Sequence, residues 1–113
     1  MSPSEIRDAT VSELRAARRK MLSAEWTLSL EAQDKKTQES AAKEFLRVHH
    51  AIQKLENEEL AKIRDDLIQN ETALAQGRAR LAEALKKLNR TKSVLQAVSG
   101  LLDIIARVTP LLL

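Results

Sequence analysis

No feature constrains this chain more than a run of leucines at seven-residue spacing: Leu60, Leu67, Leu74, Leu81, Leu88, Leu95 and Leu102. Two turns of α-helix hold about seven residues, so the repeat lines one side of a helix with leucine. Three residues further on, the sequence reads Ile63, Asn70, Gly77, Ala84, Thr91, Val98 and Ile105. The ladder is therefore half of a coiled-coil seam. Its ends are apolar, and its middle is small or polar.

Composition agrees with this. The chain is 31% charged and 43% apolar, with two Gly and two Pro, close to the recipe for long helices. One Trp, one Phe and no Tyr leave Leu and Ala as the main apolar material, which suits narrow seams between helices. Strand formers are too scattered to make a sheet. The expected fold is all-α and elongated: a long antiparallel helical hairpin or a three-helix coiled-coil bundle, making one helical domain over residues 1–113.

Local signals set the boundaries. Ser2, Pro3 and Glu5 form a helix start, with Ser2 as N-cap and Glu5 in the capping-box position. The first helix is predicted over about 3–32. The polar stretch 31–40 contains no apolar residue larger than Ala, which places the main turn at about 33–38, with Asp34 or Thr37 as cap. A long helix is predicted over about 38–90, carrying Phe45, Val48, Ile52 and Leu55. Near Asn57 the apolar phase slips by one residue. A break fits there or at 70–77, where Asn70 and Gly77 sit. A turn has no reason to preserve a count of seven, so the unbroken register favours continuity, and a rod of about 80 Å. An apolar C-terminal helix is predicted over about 92–109, stopped by Pro110.

Chemistry is sparsely signposted. The absence of cysteine excludes disulfides and thiolate metal sites. There is no Gly-rich phosphate loop, nucleophile elbow or paired acid and base, so no enzymatic activity and no cofactor are expected. Adjacent helical residues point about 100° apart, so His49 and His50 cannot chelate one metal together, and neither follows the Glu-x-x-His spacing of di-metal bundles.

The expected function is a non-enzymatic helical protein–protein interaction module. It would self-associate through the Leu/Ala heptad seams of the ladder and bind an unidentified protein partner. Trp26, with Leu22 and Leu30 on its face, is the candidate anchor, because Trp is enriched at binding hot spots.

A second reading is a membrane-associated protein or a subunit of a pore-forming assembly. Residues 77–113 hold seven basic and two acidic residues, and the basic segment 78–92 precedes an apolar tail containing Val98, Leu101, Ile104 and Ile105. That is the pattern of an interfacial helix or membrane anchor. Asp103 and Arg107, four apart, would pair to lower the cost of insertion. The terminal Leu111–Leu113 reads as a packing or insertion tip. Nucleic-acid binding ranks last. A basic zipper needs a basic region leading into the ladder, and "KLENEELAKIRDD" is acidic there. The cluster Arg15, Arg18, Arg19 and Lys20 lies on another helix. The polar N-terminus carries no apolar signal segment, so a cytoplasmic location is expected.

Overall fold

The structure, a computed structural model, describes residues 1–111. Among these the chain forms helices only: α1 (Pro3–Met21), α2 (Ala24–Glu31), α3 (Lys35–Asn57), α4 (Leu60–Gln69), α5 (Glu71–Ala84) and α6 (Thr91–Ile105). Helix α1 packs on α3, α4 and α5, while α6 packs on α3 and α5, and α2 bridges α1, α3 and α6. The core lies between these layers.

The expected elongation is corrected. The principal extents are 44 × 25 × 18 Å and the radius of gyration is 13.9 Å, close to the roughly 13 Å of a compact chain of this length. A rod over 38–90 would not fit. The chain is interrupted at 22–23, 32–34, 58–59, 70 and 85–90, and most of these interruptions have a local cause.

Ser23 divides the helix predicted over 3–32. Its hydroxyl donates to the Lys20 carbonyl at 2.6 Å and accepts from the Trp26 N–H at 3.3 Å, so one side chain closes α1 and opens α2. Arg18, Arg19 and Lys20 form the last turn of α1, where cations favour the negative end of the helix dipole. Asp34 caps α3, accepting from the Thr37 N–H at 2.8 Å. The acidic run Glu56, Glu58 and Glu59 is unfavourable at the C-terminal end of α3 and favourable at the start of α4. Glu58 and Glu59 are both extended. At Asn70 the side-chain amide donates to the Asp66 carbonyl at 2.8 Å, and α4 gives way to α5.

Hydrogen bonding to Thr37, by side chain and backbone, holds the Asp34 carboxyl below its ordinary pKa. A depressed carboxyl stabilises the fold above its unfolded pKa and loses that contribution as pH falls through the folded value. Asp34→Ala is therefore expected to lower Tm at neutral pH, with the gap to wild type closing below the usual carboxylate range. A gap that persists unchanged in strong acid would contradict this assignment.

The ladder runs through the core. Leu67, Leu74, Leu81, Leu88, Leu95 and Leu102 are buried, and Leu60 is half-buried against them. The count of seven does pass through a turn: α5 ends at Ala84, and Leu88, in the connection to α6, drops back into the core. Gly77 then explains the thin middle of the seam. A Cβ there would lie 3.1 Å from Leu101 Cδ1 and 3.2 Å from Ile104 Cδ1, so α5 and α6 approach closely as an antiparallel pair. Gly100 has open space around it. Gly100→Ala should gain about 0.5–1 kcal/mol from helix propensity. Gly77→Leu should lose about 1–3 kcal/mol through overpacking. Urea denaturation of both variants checks the contrast.

The apolar tail is part of the same core. Val98, Leu101, Leu102 and Ile105 are buried, and Ile104 packs partly against them. Among the described residues, no helix is long and apolar enough to cross a membrane. Leu111 packs on the core, while the other two leucines of the expected tip lie outside the described residues. The expected Asp103–Arg107 pair is also corrected: Asp103 accepts from Arg47 Nη2 at 3.2 Å, and Arg107 is exposed. Arg47 reaches across from α3, where its Nη1 also donates to both Glu44 carboxylate oxygens at 3.0 and 3.1 Å.

Candidate protein-binding groove

With the ladder and tail turned inward, an apolar groove remains on the surface between α2 and α3. Two short connections, 22–23 and 32–34, free α2 to lie as a separate eight-residue helix beside α3. Gln38 pins its C-terminal end, its side-chain amide donating to the Leu30 and Gln33 carbonyls at 3.2 and 3.1 Å. Opposite Trp26, α3 presents the small Ala41 and Ala42, which leave a groove of about 590 Å³.

Trp26 and Ala41 lie at its base, 3% and 2% exposed, while Leu22 and Leu46 on its walls are 68% and 58% exposed. Leu22 and Leu46 thus leave apolar side chains facing solvent beside an apolar depression. The groove's polar side chains are Thr27, Glu31 and Gln38, and the Gln38 amide is already committed to backbone carbonyls. The arrangement offers apolar contact, with little to orient a reacting group.

The structure thus separates the residues singled out from sequence. Leu22, Trp26 and Leu30 come together in the groove. The ladder leucines, Val98, Leu101 and Ile105 do not belong to it. Phe45 and Leu46 line it as well, and the sequence reading does not mark them as site residues. Their signal is nonetheless present: Ala41, Ala42, Phe45 and Leu46 form two adjacent rows at four-residue spacing, broader than one core-facing stripe.

A second, basic groove of about 450 Å³ lies between the end of α5 and the start of α6, with Arg80, Lys87 and Arg90 on its walls. In the middle of α1, the buried Thr10 hydroxyl accepts from Arg78 Nη1 at 3.2 Å. Burial pushes the neighbouring Glu13 carboxyl up, against the opposing charge of Arg78. His49 is exposed, its Nδ1 3.4 Å from Arg18 Nη1. Among the described residues, no group of three or more His, Asp or Glu side chains is placed to hold a metal ion. No protein-family model, curated protein or solved structure matches the chain.

Proposed function

We propose that this protein is a non-catalytic helical interaction module that receives apolar side chains of a polypeptide partner in the α2–α3 groove. The observation that carries the reading is the pairing of Leu22 and Leu46, both mostly exposed, with a groove based on buried Trp26. Helix-in-groove recognition uses this arrangement, with apolar anchors at helical spacing entering a preformed depression. The ladder supports the module by building the core on which α2 and α3 rest, and it is not itself the docking surface.

A photo-crosslinking benzophenone at position 46 is expected to give a polypeptide adduct, identified by mass spectrometry, in cells expressing the full chain. The same group at exposed Ala75 on α5 serves as the control. Leu22→Asp should remove the adduct while leaving Tm nearly unchanged, because Leu22 is exposed. If position 46 gives no adduct beyond that at position 75, the reading is wrong.

A further inference from the structure

We propose that the groove between the end of α5 and the start of α6 binds a small soluble ligand bearing clustered phosphate groups. The site is separate from the α2–α3 groove, and nothing in it depends on the docking role proposed there. Two helix faces build it. Arg80, Glu83 and Ala84 come from α5, and Ser93, Gln96 and Ala97 from α6. Within each set the spacing is three or four residues, which puts the side chains on one side of a helix. Ala84 and Ala97 pack partly buried against the core. Being small, they leave a depression of about 450 Å³ between longer polar side chains, within the roughly 300–1,000 Å³ of small-ligand sites.

The connection between the two helices supplies more of the wall. Leu85 and Leu88 are buried, and the Lys87 and Arg90 N–H groups donate to the Ala84 and Lys87 carbonyls at 3.1 and 3.0 Å. The leucines thus pin the connection to the core and leave Lys87 and Arg90 exposed on the groove. Arg80, Lys87 and Arg90 share the groove with one acid, Glu83, which Lys86, outside the lining, holds at 3.2 Å. Among the described residues, none of the three groove cations has a carboxylate within salt-bridge distance. A cleft lined by one sign of charge focuses its field on a counter-ion. Guanidinium forks match phosphate oxygens, and a lysine adds a point charge. The Ser93 hydroxyl and the Gln96 amide are further donors. The lining holds no aromatic ring on which a nucleic-acid base would stack. The exposed large apolar residues, Met1, Leu22, Leu28, Leu46 and Ile68, all lie outside it, so it lacks the apolar face that inserts into a bilayer surface. Those features favour a small polyanion over a strand or a membrane.

Isothermal titration calorimetry of the full chain with sodium tripolyphosphate, at physiological salt, tests the site. Wild type should show saturable binding of one ligand per chain. Arg80→Ala and Arg90→Ala should each weaken it about tenfold, the scale of a lost charge-assisted hydrogen bond. Both side chains are exposed, so the circular dichroism spectrum should not change. Ala97→Leu should weaken binding by filling the groove with no change of charge; if that chain does not fold, the two arginine variants decide. Arg19→Ala/Lys20→Ala removes exposed cations from the last turn of α1 and should bind like wild type. A wild type with no saturable binding would overturn the proposal. So would an α1 variant that loses as much affinity as Arg80→Ala, because the attraction would then be to net charge alone. Binding to a single-stranded oligonucleotide or to anionic vesicles, with none to tripolyphosphate, would overturn it as well.

Discussion

Leu81→Ala is expected to destabilise the protein by about 2–5 kcal/mol, the range for truncating a buried leucine in a core that relaxes only partly. Leu81 has no solvent exposure, and it sits on α5, the helix that packs against α1 and α6. Total stabilities of small domains are about 5–15 kcal/mol, so this one change removes a large share. Leu60→Ala is the internal control. Leu60 is the same residue type at the same place in the repeat, but it is only half-buried at the start of α4, so its loss should be clearly smaller. Urea denaturation of the two variants measures the difference. Equal losses would mean that the ladder is not the graded core described above.

Arg47→Met is expected to cost about 3 kcal/mol, because it leaves the Glu44 carboxylate buried without its cation. The side chains of Arg47 and Glu44 are 12% and 10% exposed, and they are joined at 3.0 Å. Asp103 contributes less, since it is 68% exposed and water can replace Arg47 around it. Burial opposes the charge on Arg47, and the hydrogen bonds to Glu44 and Asp103 outweigh it, holding the guanidinium pKa up. Replacing both partners, as Glu44→Leu/Arg47→Met, should recover most of the loss, because a well-packed apolar pair avoids the desolvation of two charges. Thermal and urea unfolding of the single and double variants gives the test. A double variant as unstable as Arg47→Met would show that the pair acts through something other than mutual charge compensation.

Local chemistry is legible at two caps whose decisive partner lies within one helical turn. Ser2, Pro3 and Glu5 form the capping box expected of them, and Asp34 caps α3 as its place in the polar stretch suggests. Ser23 is equally local, yet the apolar stripe running across it reads as one continuous helix. The basic cluster ending α1 carries the stop signal there. The Asp103–Arg107 pair fails for the opposite reason. Four-residue spacing permits a contact on one helix, but it does not compete with a guanidinium arriving from α3.

The sequence by itself determined that the chain is helical and where the caps at Ser2 and Asp34 open α1 and α3. Periodicity, caps and composition act within a few residues, so they can be read without knowing the fold. Tertiary structure alone decided that the ladder and tail turn inward and that the α2–α3 groove stays open. An apolar face looks the same in sequence whether its own chain covers it or not. The difference depends on where the turns at 22–23, 58–59 and 85–90 send each helix, and so on contacts between residues far apart in the chain.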